Sequence, residues 1–401
     1  MNKLIIAPLL MAVFLFSGGA KATDITALNP IESLKVKSKH FKEPIEYNIT
    51  LPTSYSQEQH KDKKYFIIFA LHPRSQLYLS GLHEWLSHNG GWPWLETIVV
   101  TPATYNAEFA QTFESLIKDP SNQTMLDYFE DDLLVAIDQK YRTNGFRIYS
   151  GFMSNGAIGL YTLLNRPQLF NAYMITSPTL ADNFAAVSSD ANEKLTKLAK
   201  VDDQLRFLYL STGKHQYEQG SLPAFNSFEQ SLTEFAPKTL DWQTHINTKN
   251  NYMSQPIMTV INGIEALFDD IHTDLKPDSA ISTQGPEAII AHYQMLSDKK
   301  YGFDVSAEGS LKALAKSHME NEPNKALAIY KKTAERYPYS AYALSALAKT
   351  YATLGDIKLA VAYQTKAVEK SKTMIEWHQN KHLSMLNEFK EQQKKLKIQG
   401  D

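Results

Sequence analysis

Between about residues 31 and 275, short apolar runs alternate with longer segments whose apolar positions recur every three or four residues. The runs with β-branched and aromatic weight are 45–51 (IEYNITL), 64–71 (KYFIIFAL), 97–102 (TIVVTP), 146–150 (FRIYS), 171–177 (NAYMITS), 206–211 (RFLYLS) and 240–246 (LDWQTHI). Several are nearly continuous hydrophobics, the pattern of strands buried on both faces. Between them lie amphipathic segments. In 125–141, Leu126, Phe129, Leu133, Leu134 and Ile137 fall on one helical face. This alternation predicts a mainly parallel sheet covered on both sides, an α/β fold.

The texture then changes. Residues 285–305 read as a connecting helix and linker, and 306–401 carry only helical patterns. Ala326 and Ala360, Leu327 and Val361, and Ala328 and Ala362 recur at an offset of 34 residues. Small residues at such positions let paired helices approach closely. The stretch 345–371 resembles a tetratricopeptide repeat, with Gly355-Asp356 at its turn, and 311–338 is a looser copy. Residues 374–398 read as a capping helix whose Lys-rich end is a solvated face.

At the other end, Lys3, the apolar run 4–16 and the small residues of SGGAKA form an export signal, expected to be cut after Ala22. No later segment reaches the roughly 18 apolar residues of a membrane-spanning helix. The expected organisation is a signal peptide over 1–22, an α/β domain over 23–305 and a helical unit over 306–401. The expected location is the periplasm or outside the cell.

Composition narrows the chemistry. Of 401 residues, 43% are hydrophobic and 21% charged, an ordinary globular balance. Forty-one basic against 43 acidic residues leave no basic excess, so nucleic acid is not an expected partner. The absence of Cys excludes disulfides, a thiolate nucleophile and Cys-ligated zinc. The 12 His form no HExxH or H-x-H pair, so neither a metal nor another cofactor is expected. His292 and His318 read as packed or solvated helix residues, and Asp269-Asp270 as an exposed turn.

The segment that carries chemistry is 146–167, FRIYSGFMSNGAIGLYTLLNRP. Its order of strand, sharp turn and helix is that of a nucleophile elbow, where G-x-S-x-G sets a serine at the head of a helix. Members of one esterase group read A-G-H-S-x-G-G-L-x-A-L-Y-x-L-L-x-x-P at this place. The spacing from Ser150-Gly151 through Leu160-Tyr161 to Pro167, and Ser177-Pro178-Thr179-Leu180 after it, resembles that pattern without a gap. The chain thus resembles the α/β-hydrolase esterases that include the enterobactin and bacillibactin esterases, and among them exported members with a C-terminal tetratricopeptide unit. The resemblance implies an α/β-hydrolase fold with a mainly parallel central sheet, followed by an all-α tetratricopeptide-like unit.

The departures fall on the catalytic positions. In the ungapped register the nucleophile position is Met153, the family His before it is Phe152, and the second position after it is Asn155. Where the family places its base His, the chain reads NNYMSQP, which sets Tyr252 there. His72, in the turn Ala70-Leu71-His72-Pro73-Arg74, matches the family turn that borders the oxyanion region, as does Asn155 on the elbow side. Glu218 is the carboxylate nearest the acid position.

An ester hydrolase needs a nucleophile, a base and an oxyanion hole. A thioether has no proton to give, and a phenol with a pKa near 10 is a poor base at neutral pH. Two readings follow. In the first, the protein is a degenerate esterase whose pocket binds a ligand, such as an ester or siderophore-like small molecule, while its helical unit binds a peptide or protein. In the second, it is an active carboxylesterase with Ser154 as nucleophile and a fallback triad completed by Glu218 and His245, with His215 the other nearby imidazole.

Overall fold

The computed structural model describes residues 30–87 and 95–400, so the signal segment expected over 1–22 lies outside the described residues. Eight strands form one sheet: β1 (Glu32–Val36), β2 (Ile45–Thr50), β3 (Tyr65–Ala70), β4 (Thr97–Pro102), β5 (Thr143–Phe152), β6 (Ala172–Thr176), β7 (Arg206–Gly213) and β8 (Leu240–Asn247). Their order is β1-β2-β4-β3-β5-β6-β7-β8. β1 and β2 pair antiparallel, as do β2 and β4, and all other pairs are parallel. This is the α/β-hydrolase sheet.

Every residue of β3, β4, β6 and β7 is buried, which is why these strands read as nearly continuous apolar runs. All seven strands expected from the sequence are present. The strand that pattern did not reveal is β1, whose ESLKV buries only Leu34 and Val36 on one side of an edge strand.

The helices are α1 (Ser75–Ser87), α2 (Ala107–Lys118), α3 (Thr124–Tyr128), α4 (Leu134–Lys140), α5 (Ser154–Asn165), α6 (Val187–Leu198), α7 (Leu222–Phe235), α8 (Gln255–Leu267), α9 (Asp269–His272) and α10 (Pro286–Met295). A wider turn over 129–133 joins α3 to α4, so the helix expected over 125–141 is continuous, with its five apolar positions buried. One face of the sheet packs on α2 to α7. The other packs on α1, α8 and α10.

The C-terminal helices are α11 (Glu308–His318), α12 (Pro323–Arg336), α13 (Ala341–Thr353), α14 (Ile357–Lys370) and α15 (Glu376–Gly400). Among the described residues no strand follows β8. Gly355, with φ 87°, makes the turn between α13 and α14. These helices share one apolar cluster with the second face of the sheet, running from Phe66 and Phe146 through Tyr301 and Leu311 to Phe389. Asp270 ties the connecting segment before α11 to the end of α8. It takes an ion pair from the buried Lys300 at 2.6 Å, and Tyr301 donates to both Asp270 and the Leu267 carbonyl. The pair Asp269-Asp270 is therefore more than the exposed turn expected.

Candidate functional site

The strand-to-helix turn after β5 is the centre of the site. Met153 stands on it with φ 56° and ψ −125°, a region non-glycine residues rarely occupy. Three backbone hydrogen bonds hold it there. The Met153 N–H donates to Thr176 O at 3.1 Å, and its carbonyl accepts from Ala157 N at 3.0 Å and Thr179 N at 3.2 Å. The tightness comes from small residues. A Cβ on Gly151 would lie 2.5 Å from Asn155 O, and one on Gly159 would lie 2.5 Å from Ile175 Cδ1. Ser154 is one residue further on and opens α5. Met153 thus occupies the elbow, and its side chain is 44% exposed.

The acid position follows β7. Glu218 is buried and its carboxylate is surrounded by donors. Gly213 N–H donates to Oε1 at 2.8 Å, and His215 N–H donates to Oε2 at 3.1 Å. Gln255 Nε2 adds a bond at 3.1 Å, and the Ser177 hydroxyl donates to Oε1. Four donors saturate the lone pairs of a carboxylate. Ser177 was read from the sequence only as part of the family-like turn, and Gly213 and Gln255 were not singled out; Gly213 is local to Glu218, whereas Ser177 and Gln255 reach it only through the fold.

The base position follows β8. Tyr252 sits in the turn that leads into α8, and Asn251 caps that turn through Met253 N–H. Its ring lies 5.0 Å from Phe152, 5.8 Å from His215 and 5.5 Å from Tyr217, so an aromatic stack fills this corner. Burial, and then the nearby Glu218 charge, raise the Tyr252 phenol above its ordinary pKa. It stays protonated at neutral pH.

The fallback triad does not assemble around Ser154. His245 is exposed on β8, an edge strand, beside Ser211 of β7. Its neighbours Trp242 and Ile246 turn to the core, and strand alternation puts His245 on the other face. That alternation was readable in LDWQTHI. His215 lies in the aromatic stack and outside the cleft lining. Ser154, Asn155 and His72, in contrast, do come together.

They line a cleft of about 700 Å³ over the elbow. Met153 and Met253 face it, with Phe109, Phe113 and Ile117 of α2 along one wall. The wall helix was missed in the sequence, although its spacing of four residues between Phe109, Phe113 and Ile117 is an apolar stripe. His72 lies between β3 and α1. Its Nδ1 accepts the Arg74 backbone N–H at 3.1 Å. Burial, reinforced by the Arg74 charge, lowers its pKa. At neutral pH the imidazole is therefore uncharged with its proton on Nε2, a donor with no free lone pair. Asn155 contributes its carbonyl to a 2.7 Å bond from Tyr149. Among the described residues, no group of three His, Asp or Glu is placed to hold a metal ion.

No protein-family model matches the chain, and no curated protein matches its sequence. Solved structures do match. An IroE-like serine hydrolase from Shewanella oneidensis aligns with a TM-score of 0.56 at 20% identity, over 77% of this chain and 100% of that one. An uncharacterised protein from Capnocytophaga ochracea aligns with a TM-score of 0.58 at 15% identity, over 90% of this chain and 99% of its own. The BES protein from Bacillus cereus aligns at 0.50 and 16% identity, over 66% and 98%. At these identities the likeness is one of fold, and the fold is that of the α/β-hydrolases.

Proposed function

We propose that this protein is an esterase-fold relative that does not carry out acyl transfer and uses the cleft over its elbow to bind a small molecule. The observation that carries this reading is Met153, held at φ 56° and ψ −125° on the turn where a hydrolase presents its nucleophile. A thioether there can neither lose a proton nor form a productive acyl intermediate. Tyr252, raised in pKa and packed among aromatic rings, replaces the base. Glu218 keeps the acid position but spends its lone pairs on other donors. We assign the protein to the periplasm or the exterior on its leader-like first 22 residues. The repeat-like spacing of α11 to α15 supports a peptide or protein partner for that unit.

The second reading, an active carboxylesterase, draws support from one fact: Ser154 lines the same cleft as His72. The chemistry opposes it. His72 Nδ1 is occupied by the Arg74 N–H, so the ring has no lone pair to take a serine proton. A fluorophosphonate probe separates the two. The expected result is no labelling, and hydrolysis of short acyl nitrophenyl esters at the same rate in wild type and Ser154→Ala. Labelling of wild type that Ser154→Ala abolishes would establish the esterase instead.

A further inference from the structure

Arg74 distinguishes the cleft. Arg166 and Arg206 each hold a carboxylate at 2.7 Å, and Arg147 is paired with Asp138. Arg74 is exposed, lines the cleft and makes no ion pair with any described residue. Two residues before it, His72 lines the same cleft and presents Nε2–H as its donor. Glu114 is the one acid in the lining. It stands on α2 beside Phe113 and is not within ion-pair distance of Arg74. The remaining walls are largely apolar, built from Met153, Met253, Phe109, Phe113 and Ile117.

An unpaired guanidinium and a neutral donor at one part of an apolar cleft suit a planar anionic head with a hydrophobic body. A guanidinium matches a carboxylate in a bidentate way. Apolar walls gain from burying a hydrocarbon chain, and methionine adapts to its shape. We propose that the cleft binds the free carboxylate of an apolar-tailed organic acid, its head on Arg74 and His72 and its tail against α2 and Met153. This rests on the reading that the site does not hydrolyse esters, and it names the ligand class. The neutral ester lacks the charge that Arg74 would pair, so the acid is favoured over its own ester.

The test uses dodecanoate, methyl dodecanoate and dodecanol in titration calorimetry with the mature protein. The expected order is dodecanoate tighter than either neutral ligand by about tenfold, the worth of one charge-assisted pair. Arg74→Gln should lower dodecanoate affinity by about tenfold and so remove that preference, and Arg74→Lys should keep part of it. Arg74 is an exposed side chain, so neither variant threatens the fold. Equal binding of acid and ester, no binding of dodecanoate, or an unchanged preference in Arg74→Gln would each overturn the proposal. Recovery of methyl dodecanoate after the titration is scored separately. Conversion to dodecanoate and methanol would refute the non-hydrolytic reading, while the head-group preference would still be read from Arg74→Gln.

Discussion

Replacing Met153 by Ala and by Gly isolates the strain of the elbow. Both substitutions remove the same thioether contacts, so the difference between them reports the backbone alone. In a regular helix or strand Gly is less stable than Ala by roughly 0.5–1 kcal/mol, because it loses more freedom on folding. At φ 56° and ψ −125° the Ala Cβ carries a strain of about 1–3 kcal/mol that Gly does not. At the middle of both ranges strain relief exceeds the entropic loss, and the Gly variant is expected to be the more stable by about 1 kcal/mol. The three hydrogen bonds from Thr176, Ala157 and Thr179 keep the conformation fixed in both variants, so neither can relax to an ordinary turn. Urea denaturation followed by tryptophan fluorescence measures the pair, with unchanged slopes required. Ala157→Gly, four residues into the same segment and fully buried, is the control and should be destabilising by at least about 1 kcal/mol. If the Ala variant at 153 is as stable as the Gly variant, Met153 does not stand on a strained elbow. The assignment of the nucleophile position then fails with it.

Three other outcomes are expected. His83 on α1 is fully buried, and burial lowers its pKa to about 3 from 6.5 in the unfolded chain. Above pH 6.5 both states are neutral; below it only the unfolded chain takes up the proton, so stability falls by about 1.4 kcal/mol per pH unit toward pH 3. His83→Leu should flatten that slope in denaturation curves between pH 7 and 5, and an unchanged slope would assign the acid sensitivity elsewhere. Gly213→Ala drives a Cβ into Gln255 Nε2 and the Glu218 carboxylate, costing about 1–3 kcal/mol; a neutral effect in thermal melts would contradict the tight donor cage. The triple variant Met153→Ser, Tyr252→His, Asn155→Gly should acquire fluorophosphonate labelling that none of its single variants shows, because nucleophile and base act as a unit. Its ester hydrolysis should stay slow, since Glu218 has no lone pair left to orient the new imidazole.

Features set by short stretches of chain are legible in the sequence. Buried central strands announce themselves as nearly continuous apolar runs, and β3, β4, β6 and β7 fell where those runs lie. The elbow is local too: Gly151, Gly156 and Gly159 allow one close turn, and the ungapped match of this stretch to the esterase pattern set Met153 at the nucleophile position, with Ser154 as the alternative. Tyr252 followed from the resemblance of the helix behind it to the family's, which set the register. β1 escaped because an edge strand of five residues buries only two side chains, too few to stand out.

What needed the fold is whatever joins distant residues. Of the donors that saturate Glu218, Gly213 and His215 belong to the end of β7 and its own turn, but Ser177 and Gln255 come from two distant segments, and no spacing in the chain relates those two to it. The cleft needs α2 laid over the elbow and the β3–α1 turn beside it, which decides that Arg74, Phe109 and Met153 share one surface. The join of the helical unit to the sheet was likewise invisible, because Phe146 and Phe389 meet in one cluster only after the chain has folded back. Periodicity encodes which face of an element is apolar. Which other element covers that face is settled by packing, as a balance over the whole core.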